Sequence, residues 1–405
     1  MERGFRAKDG GIHVMAATTT LAAGINTPAS TVLLAENKFV GEDGRPFTVA
    51  EYKNMAGRAG RLGFNETGKA IILVDTPLER AQLFQRYPLG RPEDVISSFQ
   101  ARDLPTWSLR LLSQVRSVRR TEIPALLINT FAGYSASRAD PQWVTRIEPE
   151  IRAFVDRLVR ATLAEMTDDV VRLTLLGRAC GSSSLSFDSA LLLVELLRAV
   201  DVANTSPVAL LATVQGLPEM DNVYTPLMKR GRSEGNRVGD AARKYGRQIV
   251  AVLQRHCDDE FGYWARCKRA AMLWDWIEGT PIETLEKAYS TTPFQGAVSY
   301  GDVIRIADAT RFHLRSAHQI LAILLTEHPE FVRALDSLLV RLEFGLPEAA
   351  IPLTELPVPL IRGQYLALRQ AGCVAPDQVA KLDDAQLTAC VGASVAQRIR
   401  DAAKK

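Results

Sequence analysis

Residues 1 to about 85 alternate short apolar runs with small polar residues and turns, whereas most of the chain after residue 92 carries apolar positions at helical spacing. In the first stretch, Ile12–Ala17 reads as a buried strand running into the hydroxyls of Thr18, Thr19 and Thr20, then into Gly24 and Asn26. Further apolar strands are predicted at Thr31–Ala35 and Ala70–Val74, with a helix starting near Tyr52 between them. Strands that end in small polar residues and alternate with short helices predict a parallel sheet with a site at its carboxyl edge. Gly41–Pro46 is a polar turn, and Pro88, Gly90 and Pro92 mark a linker.

Beyond the linker, Arg146–Met166 places Ile147, Ile151, Phe154, Val155, Leu158 and Leu163 at helical intervals, and Val170–Arg178 reads as a short strand pair. From 181 to 345 the pattern is nearly all helix: Ser189–Val200 is a buried segment, Pro218–Pro226 a break, and a long helix begins at Asp302. Its apolar side is Val303, Ile304, Ile306, Ala307, Leu314, Ala317, Ile320 and Leu321. Trp274 and Trp276 are two residues apart, a turn of about 200° on a helix, so one is expected in the core and the other nearer the surface. After residue 346 the proline-rich turn Pro352–Pro359 introduces a small separate helical module. The fold class is therefore multidomain and mainly α, with an α/β N-terminal part.

Composition narrows the function classes. At 405 residues the chain holds several domains, and 23% charged residues with a net charge of +3 leave any nucleic-acid surface to local clustering rather than bulk charge. Cys180, Cys257, Cys267, Cys373 and Cys390 form no CxxC pair, which points to reduced thiols and no zinc or other metal site. No signal peptide and no membrane-spanning apolar run is evident, so a cytoplasmic monomer is expected.

The chemistry concentrates in Tyr52–Gly63, where Arg58 and Arg61 sit three apart among Gly57, Gly60 and Gly63. Arginine keeps its charge and forks onto phosphate oxygens, and glycines permit tight turns and close approach. By itself the segment fits either a phosphate clamp or a basic surface turn. Together with Ala16–Ala29 upstream, it resembles motifs V and VI of superfamily 2 helicases of the Ski-type DExH branch, whose members include archaeal DNA-repair helicases.

The resemblance implies a partial second RecA-like domain at 1–88, a winged helix at 89–180, a helical ratchet bundle at 181–345 and a helix-hairpin-helix-like tail at 346–405. It implies ATP with Mg2+ as nucleotide and metal, with Arg58 and Arg61 as arginine fingers on the γ-phosphate. Gly24, Asn26, Asn54 and Gly57 would lie near the nucleotide, and Thr18 and Thr20 on the tracked strand. Asn54 stands where the family commonly has glutamine, one methylene longer.

A motor also needs a phosphate-binding loop and an acidic metal-holding motif, and the sequence contains neither. Gly63–Ala70 mimics the spacing of such a loop, but Ala70 replaces the required hydroxyl and a strand follows, so a turn is expected. The chain is accordingly expected to be the C-terminal part of a helicase. The first reading is a fragment of one enzyme; others are a split helicase whose partner chain supplies the first RecA-like domain, and a non-catalytic nucleic-acid-binding subunit.

The expected partner is single-stranded or forked nucleic acid, DNA favoured over RNA. By resemblance, the helix beginning at Asp302 lies along the strand, with Arg305, Arg311 and Arg315 projecting and Phe312 and His313 between them. Lys229, Arg230, Arg232, Arg237, Arg243, Lys244 and Arg247 form a basic stretch whose first half, with Gly231, Gly235 and Gly239, reads as a loop. That loop is either a phosphate contact or a solubilising insertion. Arg116, Arg119 and Arg120 fit phosphate contacts or a solvated helix face. Gly392–Ser394 resembles a degenerate hairpin turn.

Overall fold

The computed structural model describes residues 11–17, 29–39, 44–60, 67–97, 103–199, 206–229, 233–257 and 259–403. It is mainly helical and divides into two compact units, Met1–Ser97 and Ser98–Lys405.

In the first unit, strand β1 (Thr31–Leu34) leads to helix α1 (Val49–Ala56), strand β2 (Lys69–Ile72) and helix α2 (Pro77–Arg86). β1 and β2 pair in parallel with Thr31 opposite Lys69 and Leu34 opposite Ile72, as expected of strands joined by a helical crossover. α1 starts where it does because Thr48 and Glu51 form a reciprocal capping box. The Arg45 guanidinium, 2.7 Å from the Glu51 carboxylate, holds that group down at about 2, assisted by the Thr48 amide. Glu93 reaches back to accept from the amides of Val49 and Ala50 at 2.8 and 3.0 Å, and Lys53 Nζ donates to the Gly90 carbonyl. The stretch Pro88–Pro92, expected as a linker, is thus tied onto α1, and the compact unit extends past it. Leu34, Phe47, Val49, Tyr52, Met55 and Tyr87 form the unit's core.

The second unit begins with α3 (Leu104–Gln114), strand β3 (Val118–Arg119), and helices α4 (Ile123–Ile128), α5 (Phe131–Ala139) and α6 (Trp143–Arg160). Next come strands β4 (Ala164–Thr167) and β5 (Val170–Leu173) and helix α7 (Leu175–Ser182). The three strands form an antiparallel sheet in the order β3-β5-β4. The strand pair expected within Val170–Arg178 therefore lies earlier. Asp168 and Asp169 both adopt left-handed φ (49° and 64°), which closes a two-residue hairpin, and the Thr174 hydroxyl then accepts from the Gly177 amide to start a helix. Arg119 lies in β3 and Arg120 pairs with Asp169 at 3.0 Å, so these arginines do not form a helix face.

The bundle follows as α8 (Phe187–Ala199), α9 (Ala209–Val214), α10 (Pro218–Asp221), α11 (Asn236–Tyr245), α12 (Arg247–Gln254), α13 (Glu260–Ile277), α14 (Ile282–Tyr289), α15 (Tyr300–Leu324) and α16 (Pro329–Phe344). One hydrophobic core runs from Leu104 to Leu342 without a break at residue 180. Helices α17 (Arg362–Gln370), α18 (Pro376–Lys381), α19 (Asp384–Val391) and α20 (Ala393–Ala403) gather around a separate core from Leu346 to Ile399. Arg362 joins this tail to the bundle. Its guanidinium lies 4.2 Å from the Trp276 ring centre and donates to the carbonyls of Gly345 (2.9 Å), Thr280 (2.8 Å) and Trp276 (3.3 Å).

Candidate functional site

Arg58 follows directly on the C-terminus of α1. The Gly57 amide caps the helix by donating to Lys53 O, and the Arg58 amide donates to Met55 O at 3.1 Å. Two further backbone bonds fasten this turn to the segment upstream: Ala29 N to Arg58 O (3.2 Å) and Gly60 N to Ala29 O (3.0 Å). Ala29 is the last residue of the upstream motif, so the two motifs are stitched together at this point. Asn54 and Gly57 are exposed and Arg58, in the turn just past the end of α1, is half-buried. Arg61, Thr18, Thr20, Gly24 and Asn26 lie outside the described residues. Lys69 and Ala70 are in β2, so a strand stands where a phosphate-binding loop would begin its helix.

In the second unit, α15 carries the other expected contacts. Ser299 and Asp302 form a capping box at its start. Val303, Ile306, Ala307, Leu314, Ala317, Ile320 and Leu321 are buried, and the opposite side exposes Arg305, Asp308, Phe312, Arg315 and Gln319 at intervals of three or four. Arg305 is steadied by Asp302 at 2.9 Å and lies 5.5 Å from the Tyr224 ring centre. Phe312 is 54% exposed, and the exposed Arg315 side chain makes no hydrogen bond or ion pair among the described residues. Arg311 is half-buried and pairs with Glu343 at 2.9 Å and with Asp308 at 3.8 Å, so its guanidinium is engaged where that of Arg315 is not. His313 is buried, and that burial lowers its pKa against the opposing pull of Glu219.

The basic stretch is less available than its sequence implies. Arg237 is buried, bound to Glu234 at 3.0 Å and Asp240 at 3.2 Å, and Gly239 lies inside α11 rather than in a loop. Arg243 pairs with Asp240 and Lys244 with Asp275. Lys229 is exposed, while Arg230 and Arg232 lie outside the described residues.

Sequence reasoning missed three cations on α13. Lys268 is fully buried and bonded to the Glu234 carboxylate (3.2 Å) and the Pro226 carbonyl (2.6 Å); burial brings its pKa down to about 8 against the pull of Glu234. Burial alone would raise Glu234, but Thr291, Lys268 and Arg237 outweigh it and hold the carboxyl below its usual range. Arg269 binds Gln215 at 3.0 Å, and Arg266 binds Asp221 at 2.9 Å. Lys268 clamps the irregular segment after α10 onto α13, while Arg266 ties down the end of α10 and Arg269 the residue that follows α9. Their side-chain partners Glu234, Gln215 and Asp221 lie 34, 54 and 45 residues away, so no local signal announces them. In the tail, Gly392 (φ 83°) joins α19 to α20, and Arg400 closes the pair onto Asp384 at 3.0 Å. Among the described residues no group of three or more His, Cys, Asp or Glu side chains is placed to hold a metal ion. None of the described helices is long and apolar enough to cross a membrane.

Over 401 residues, 96% of this chain, the sequence is 28% identical to the ATP-dependent DNA helicase Hel308 of Caldivirga maquilingensis. The chain is a relative of the Hel308 helicases. Hel308 of Pyrococcus horikoshii is 28% identical over 368 residues, 90% of this chain, and that of Pyrobaculum calidifontis 30% over 298 residues, 72% of it. The matches take in 50%, 48% and 39% of these Hel308 proteins, so the chain spans about half the length of the curated relatives it matches or less. No protein-family model matches the chain.

Proposed function

We propose that this chain is the C-terminal part of an ATP-dependent helicase that moves along a single strand and unwinds forked DNA. The observation that carries the reading is the α15 stripe, where Arg305, Phe312 and Arg315 stand exposed on a helix whose other side is core. Cations for phosphate and a ring for bases suit a single strand of any sequence. The likeness to Hel308 supports DNA over RNA and a cytoplasmic setting. In this reading residues 1–88 are part of a second RecA-like domain, 89–180 a winged helix, 181–345 the ratchet and 346–405 the hairpin-like tail.

Arg58 and Arg61 act on the γ-phosphate of ATP with its Mg2+, and Gly24, Asn26, Asn54 and Gly57 line the nucleotide. Thr18 and Thr20 hold the strand. The stitch between Ala29 and the Arg58 turn supports coupling, because it ties a strand-binding segment to a phosphate-binding one.

The purified chain is expected to bind oligodeoxythymidylate in fluorescence anisotropy and to show no ATPase activity, since no phosphate-binding loop occurs in its sequence. Robust ATP hydrolysis lost on Arg58→Ala, or no binding of single strands, overturns the proposal. The same missing loop favours a second reading, a split motor completed by another chain. A neighbouring gene encoding that loop, whose product restores hydrolysis on mixing, distinguishes it.

A further inference from the structure

Phe294 is 95% exposed, the most exposed large hydrophobic side chain among the described residues. Its turn is nevertheless tightly built. Thr291 N donates to Gly296 O at 3.2 Å and Thr292 N to Gln295 O at 3.1 Å. The Thr292 hydroxyl accepts from the amides of Gln295 (2.8 Å) and Phe294 (3.4 Å). Gly296 closes the turn at φ 69°, where a β-carbon would meet Thr291 Oγ1 at 2.9 Å and Met228 N at 3.1 Å. The Thr291 hydroxyl donates to Glu234, which is itself held by buried Lys268 and Arg237. The turn is therefore bolted to a buried charge cluster and holds an apolar ring out in water.

Its position gives the ring a use. Ser299, three residues beyond Gly296, caps α15, so the Phe294 turn leads directly into the helix that carries the stripe. Met228, against Gly296, belongs to the same irregular segment as Tyr224, which is 65% exposed and faces the Arg305 guanidinium. An isolated ring on a turn that abuts the segment carrying a cation–aromatic pair matches the flat face of an unpaired base better than the broad apolar surface a folded protein partner needs.

We propose that Phe294, with Tyr224, extends the single-strand track beyond the N-terminal end of α15 by stacking on unpaired bases. This rests on the nucleic-acid reading of the stripe. Because the Phe294 ring is almost wholly in solvent, Phe294→Ala should melt at the wild-type temperature, yet bind oligodeoxythymidylate about tenfold more weakly. The salt dependence should stay unchanged, since no charge is removed. Phe294→Trp should keep the affinity, and its added fluorescence should be quenched by the oligonucleotide. If Arg315→Ala weakens binding and Phe294→Ala does not, the stacking role is overturned while the track stands, and the ring is assigned to a protein partner. If the wild-type chain binds no single strand, both fall.

Discussion

Gly60 and Gly68 lie backbone against backbone: a β-carbon on Gly68 would fall 2.2 Å from the Gly60 nitrogen, and one on Gly60 2.5 Å from the Gly68 nitrogen. Gly60 also sits at φ 68°. The second glycine of the arginine-bearing turn is thus required by packing and by a left-handed backbone, independently of any phosphate. Gly68→Ala is expected to cost about 2 kcal/mol or more in the first unit, by analogy with overpacked cores. Gly60→Ala adds backbone strain to that cost. Hydrogen exchange of β1 and β2 amides in each variant checks this; wild-type protection in both would refute it.

The Glu51 carboxylate gives the first unit a defined acid sensitivity. Its folded pKa, about 2, lies below the unfolded value of about 4.3, so its contribution is complete above the unfolded value and is lost as pH falls through the folded one. Denaturation of wild type and Glu51→Gln should differ by a constant amount at neutral pH and converge between about pH 4 and pH 2. A gap independent of pH would show that the capping carboxylate does not titrate there.

Arg311 and Arg315 look equivalent in sequence but are expected to behave differently. Arg315→Ala should weaken single-strand binding and lower the slope of log affinity against log salt by about 0.7, the effect of one lost phosphate contact. Arg311→Ala should leave that slope close to wild type, because its guanidinium is bound to Glu343, and should instead loosen α15 against α16. Salt titrations of both variants decide the matter, equal slopes being the contrary result.

Arg362→Ala strips three carbonyls of their charged donor and removes the cation from the Trp276 face. The expected loss is about 2–3 kcal/mol, and Arg362→Lys should recover little of it, since an ammonium lacks the planar fork. Limited proteolysis should cut the Arg362→Ala chain near the 346–361 segment while the bundle stays intact.

Much of this was legible in the sequence. The parallel pairing of β1 with β2, the long capped helix α15 and the contrast between buried Trp276 and half-buried Trp274 all follow from local pattern. The β4–β5 hairpin is hard to place from sequence because its turn uses two aspartates in left-handed conformation instead of glycine, and because the alternation Leu173, Leu175 spans a helix start. Arg237 and Lys268 were unreadable for another reason. A cation's burial depends on a carboxylate supplied from elsewhere in the fold, and periodicity carries no information about that partner. The same limit hid the split between Arg311 and Arg315, since Glu343 belongs to a different helix.

The unbroken core behind α15 has a mechanical consequence. The helix packs on α7, α8, α9, α13 and α16 at once, so a pull applied along its outer stripe would be shared as shear among several contacts instead of unwinding one helix. The tail has its own core and is held to the bundle at the Arg362 slot. Under rising load the tail, with its separate core, is expected to yield at a force that α15 still withstands.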